Sequence, residues 1–150
     1  MKKMSLPSAL KVISTRNAAI AQAYRDWGKR LPPGPVSALA TSMAGQRLEL
    51  GKVLAEILGE PRLPEVEVEF DIEPSSLTGF STFGTELVEP KELLQKMAEA
   101  EAADHELLAA VAGAILPASG AAAERLASEA DSARKRSTWA QDHLELLTMG

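Results

Sequence analysis

Apolar residues recur at alternating three- and four-residue steps in four stretches of the chain, and at steps of two in one short stretch in the middle. The first stretch predicts a helix over residues 8 to 30. Leu10, Ile13, Ile20, Tyr24, Trp27 and Leu31 form its stripe once Asn17 is counted with them. Pro32, Pro33, Gly34 and Pro35 end it, because proline lacks the donor a continuing helix needs and restrains the residue before it. A second helix is expected from Pro35, where the missing N–H costs nothing, to about Leu58. Val36, Leu39, Met43, Leu50, Val53 and Ile57 form its buried face, with Gln46 midway along it. Gly59 and Pro61 supply the stop. Pro90 opens a third helix through Leu116, with Leu94, Met97, Leu108, Val111 and Ile115 inward. Pro117, Ser119 and Gly120 separate it from a fourth, from about Ala121 to Leu147, which turns Leu126, Ala130, Ala133, Ala140, Leu144 and Leu147 to the core.

Residues 59–90 have a different character. In PEVEVEFDI, Val66, Val68, Phe70 and Ile72 alternate with acidic residues, the period of a half-buried strand. PSSLTG offers turn residues and FSTFGTELV a return strand, so a short β-hairpin is expected here, with a single extended segment as the alternative. Short links within each helix pair imply two antiparallel hairpins, and the long crossover makes the second and third helices parallel. The expected fold is therefore mainly α. It is a four-helix bundle in one domain spanning residues 1–150, with two helix hairpins joined by a crossover that holds the β-hairpin.

The composition narrows the function classes. An apolar fraction of 45% and a charged fraction of 25%, signs mixed, suit a globular chain. A net charge of -5 gives no general attraction to nucleic acid or anionic membrane. Arg134, Lys135 and Arg136 form the one notable basic run, expected as a wetted helix face, with a docking patch for an acidic partner as the alternative. No stretch supplies the roughly 20 apolar residues of a membrane span. The absence of cysteine excludes disulfides, thiolate metal sites and cysteine nucleophiles. A cytoplasmic protein without an N-terminal leader is the expectation.

Candidate chemistry lies on the helices. Glu101 and His105, four residues apart in EAEAADHELL, share one helix face that continues the apolar track from Met97 to Leu108, with Asp104 at its border. Burying a carboxylate and an imidazole there calls for a divalent cation or good hydrogen bonds. The fourth helix adds Asp142 and His143, the second Gln46 and Glu49, the first Asn17 and Asp26. The candidate metal ligands are thus Glu49, Glu101, His105 and His143, with iron, manganese or zinc as the ion. Salt bridges and boundary hydrogen bonds are the competing account of each: Arg47 and Lys52 stand near Glu49, and Asp26 lies between Arg25 and Lys29. Tyr24 and Trp27 are expected in the core, and Trp139 there or as an interface anchor. No nucleophile elbow, phosphate loop or HExxH zinc motif is present, so no catalytic residues are assigned.

The order of helix pair, crossover and helix pair, with GQRLEL, EAADHELL and WAQDHLELL in its polar segments, resembles the ferritin-like family across roughly residues 8 to 148. That resemblance implies a mid-bundle di-iron site acting on oxygen or peroxide. Here Lys52 stands where a paired histidine is wanted after Glu49, and Ala140 where a glutamate is wanted before His143. The expectations are therefore a structural or protein-interaction bundle with a second copy or another protein as its partner, and a metal-dependent oxidoreductase and a small-ligand binding bundle as alternatives.

Overall fold

The computed structural model describes residues 2–61, 63–75 and 89–149. Four helices dominate it: α1 (Leu6–Arg30), α2 (Pro35–Leu58), α3 (Pro90–Ile115) and α4 (Gly120–Met149). Their starts follow from local chemistry. The Ser5 hydroxyl accepts from the Ser8 amide and caps α1. Pro35 and Pro90 occupy first-turn positions where no N–H is needed. Ser119 accepts from the Ala122 amide at the head of α4. Leu31, extended and followed by Pro32 and Pro33, ends α1.

Helix α1 packs on α2 and α3 on α4, as two hairpins. The buried residues fall into two apolar groups at opposite ends of the bundle. One contains Leu6, Leu10 and Ile13 of α1, Leu50, Leu54 and Ile57 of α2, Leu107, Leu108, Val111 and Ile115 of α3, and Leu126 of α4. The other contains Ile20, Tyr24 and Trp27, then Leu39 and Met43, then Leu93, Leu94 and Met97, then Ala140. Helices α2 and α3 therefore run in the same direction, as a long crossover between their ends requires. Small residues line the α3–α4 contact: Ala98, Ala112, Ala123, Ala130 and Ala133 are buried. Close backbone approach there lets the Ser137 hydroxyl donate to the Ala98 carbonyl at 2.9 Å.

The strand read from PEVEVEFDI is present as β2 (Glu67–Phe70), with Val68 and Phe70 buried and the two glutamates outward. Its partner is β1 (Lys2–Ser5), which pairs antiparallel with Lys3 opposite Glu69 and Met4 opposite Val68. The sequence expectation paired it instead with FSTFGTELV, which lies outside the described residues. A four-residue strand directly before a helix has too little periodicity to read, so the sequence predicts no element over residues 2–5. The Leu6 amide continues the ladder by donating to the Val66 carbonyl at 2.8 Å. The small sheet thus seals the end of the bundle holding Leu6 and Leu10, into which Val68 and Phe70 pack.

Candidate functional site

Between the two apolar groups lies a polar layer to which every helix contributes. Arg16 and Asn17 come from α1, Arg47 from α2, Glu101 and Asp104 from α3, and Arg136 and Ser137 from α4, all buried. Each occupies a helical core position: Arg16 is three residues from Ile13, Arg47 lies between Met43 and Leu50, and Arg136 lies between Ala133 and Ala140.

Arg47 is the hub. Its Nη2 donates to Glu101 Oε2 at 2.7 Å and also to Asp104 Oδ2, its Nε to Glu101 Oε1 at 3.2 Å, and its Nη1 to Asn17 Oδ1 at 3.0 Å. Asn17 returns its amide to the Arg47 carbonyl at 2.8 Å. The guanidinium also sits 5.3 Å from the centroid of the Tyr24 ring, within cation–π range. Arg16 Nε donates to Asp104 Oδ1 at 2.8 Å and its Nη2 to the Ala100 carbonyl at 3.3 Å. Arg136 Nε donates to Glu101 Oε1 at 2.8 Å, and its Nη1 to Gln46 Oε1 at 3.2 Å.

The three guanidiniums and two carboxylates tie all four helices at one height. Charge-assisted, partly bidentate bonds of this kind are the stronger class of hydrogen bond. Burial works against the charge on Arg47, and Asp104 and Glu101 outweigh it, holding the guanidinium protonated. Burial pushes the Glu101 carboxyl upward while Arg47 and Arg136 pull it back. Burial likewise raises the Tyr24 hydroxyl well above its usual value, with Glu101 adding to the rise.

Of the four candidate ligands, Glu101 alone belongs to this layer. Its Oε1 faces two guanidiniums and its Oε2 a third N–H, so a divalent cation there would have to displace like charge, and the donor set does not suit one. His105 is half-buried and its Nδ1 lies 2.8 Å from the Ala130 carbonyl oxygen; the ring therefore donates from Nδ1 and ties α3 to α4. His143 donates in the same way to the Trp139 carbonyl, 2.8 Å away within its own helix. Glu49 is exposed and pairs with Lys52 at 3.0 Å. Asp26 accepts from Gln22 one turn earlier. Among the described residues no group of three or more histidine, aspartate or glutamate side chains is placed to hold a metal ion.

The arginines are what the sequence reading missed. Arg47 figured as a surface partner for Glu49, and Arg136 as part of a wetted basic face, yet both are fully buried. A signal existed: the inner face of α2 runs Met43, Arg47, Leu50, Leu54, whereas the expected stripe shares Met43 and Leu50 but takes Gln46 and Val53, each one residue or about 100° away from Arg47 and Leu54. Tyr24 and Trp27 lie in the core as expected, and Trp139 is partly exposed. No helix among the described residues is long and apolar enough to cross a membrane. Comparisons with known protein families, curated proteins and solved structures found no match.

Proposed function

We propose that the protein is a structural, protein-interaction bundle rather than a metal-dependent oxidoreductase, and that it associates with a second copy of itself through the last turns of α4. The carrying observation is an apolar flank on that helix. Trp139, His143 and Leu146 lie along one line, four and three residues apart, with Leu147 and Met149 beside it. Trp139 is 39% exposed, Leu146 68% and Met149 83%, a grouping of large apolar side chains that water disfavours and that marks contact surfaces. Trp at one end of such a flank supplies the kind of anchor that dominates interface energetics.

The mid-bundle layer supports the part of the reading that sets a metal centre aside. Guanidiniums occupy the inward positions from which carboxylates would have to reach a shared metal pair, and they saturate the one inner glutamate that a metal would need. Such a layer fixes the register of four helices, a role buried polar groups fill in other bundles.

Sedimentation equilibrium across a concentration series tests the association. The wild-type chain is expected to dimerise or assemble further, and Leu146→Glu, an exposed position whose change leaves the core intact, to be monomeric. A wild-type chain that stays monomeric throughout would overturn the reading.

A further inference from the structure

His143 stands at the middle of the exposed apolar line on α4, between Trp139 and Leu146, and is the one ionisable side chain on that line. Its Nδ1–H donates to the Trp139 carbonyl at 2.8 Å, which fixes the neutral tautomer and leaves Nε2 as an acceptor. That carbonyl is its only polar contact among the described residues. Ala140 and Leu144 pack with Leu39 of α2 and with Leu93 and Leu94 of α3, so the last turns of α4 lie against both helices. From α2 no charge faces this stretch, because residues 35–46 contain no ionisable side chain. The first turns of α3 carry Lys91, Glu92, Lys96 and Glu99, two of each sign, and Lys96 pairs with Glu92. On α4 itself Asp142 and Glu145 are exposed, one and two residues from His143, spacings at which helix side chains do not face each other.

A neutral imidazole whose Nδ1–H is already satisfied is mostly apolar surface with one acceptor, and a second chain can cover it at modest cost. The protonated ring carries a full charge and a new donor at Nε2, and taking it out of water without a carboxylate partner is far more costly. A symmetric pair of copies brings two such rings into one contact, so the association constant falls with the square of the neutral fraction. We propose that His143 is a proton switch on self-association, neutral where two copies meet and charged when they part. The switch rests on the association through the last turns of α4. Its direction is opposite to the effect of overall charge. At a net charge of -5 the chain repels its copies, and acidification toward its pI near 5.1 relieves that repulsion. His143 makes association weaken as pH falls.

Sedimentation equilibrium of the full chain at about pH 8 and about pH 6, at one ionic strength, tests the switch. Wild type is expected to associate about tenfold more weakly at the lower pH, roughly threefold from each copy's ring, and His143→Gln to show no weakening. The chain has two histidines, so the ring signals of His143 can also be followed by NMR, with His143→Gln supplying the assignment. Their titration midpoint is expected to fall as protein concentration rises, since proton and partner compete. If His143→Gln is monomeric at both pH values, the concentration dependence of the wild-type midpoint decides. Wild-type association that is unchanged or tighter at the lower pH, equal weakening in His143→Gln, or a midpoint independent of concentration would each overturn the switch and leave the association standing. A wild-type chain that is monomeric at both pH values would overturn the association and the switch together.

Discussion

Replacing Glu101 by glutamine keeps the shape of the side chain and removes one of the two negative charges that face three buried guanidiniums. Arg47 and Arg136 both donate to this carboxylate, which is fully buried, so the variant leaves Arg136 with no anionic partner in the layer and Arg47 with Asp104 alone. Breaking a buried ion pair from one side costs about 3–5 kcal/mol, because the remaining charge is stranded away from water. That is a large share of the roughly 5–15 kcal/mol by which a domain of this size is stable. Urea unfolding followed by far-ultraviolet circular dichroism should place the midpoint lower by roughly 1–5 M, given slopes of about 1–3 kcal/mol per M. Adding Arg47→Met to Glu101→Gln removes a stranded charge along with its partner, and the double variant should lose less than the two single losses summed, by about 0.5–3 kcal/mol. A Glu101→Gln variant within about 1 kcal/mol of wild type would refute the idea that this layer depends on its carboxylates to hold the buried guanidiniums.

Two further changes probe the ends and the rim. Phe70→Ala, on the strand that seals one end of the bundle, removes a ring buried among Leu6, Leu10 and their neighbours. It should cost about 3–5 kcal/mol by chemical denaturation; a cost below about 1 kcal/mol would mean the two-stranded sheet is not part of the cooperative core. Burial raises the Glu129 carboxyl above its value in an unfolded chain. Its contribution is therefore favourable below the unfolded carboxyl range and is lost as pH rises through the folded value. Glu129→Gln should accordingly melt higher than wild type at pH near 7.5, with the difference shrinking toward about pH 4, where both side chains are neutral. A difference that grows on acidification would contradict this sign.

The helices were legible because their stripes and their proline boundaries agree. Pro35 and Pro90 each begin a helix where the pattern begins, and the observed ends of α1, α2 and α3 fall within two residues of expectation. The strand Glu67–Phe70 was legible from its alternation, but its partner was not, since pairing depends on which segment the fold brings alongside. The site was half legible. Glu101 and Asp104 lie on the apolar track of α3, and Asn17 on that of α1, as their spacing implies. Arg16, Arg47 and Arg136 sit at equally good core spacing, yet Arg16 drew no reading, Arg47 was read as a partner near Glu49 and Arg136 as part of a wetted basic run, because a lone guanidinium is costly to bury. The cost is met only when carboxylates from another helix are present, a fact of tertiary arrangement that one helix's sequence does not carry. His105 and His143 had plausible spacing, and in the fold each spends its Nδ1 proton on a backbone carbonyl.

The central claim is that the buried carboxylates of the mid-bundle layer are taken up by guanidiniums and leave no ligand set for a divalent ion among the described residues. Elemental mass spectrometry of natively purified, chelator-free protein, before and after incubation with iron, manganese and zinc, tests it most directly. The account predicts far less than one equivalent of any of these metals per chain in both samples. One or two equivalents, lost when Glu101 and His105 are both changed to alanine in a chain that remains folded, would contradict it.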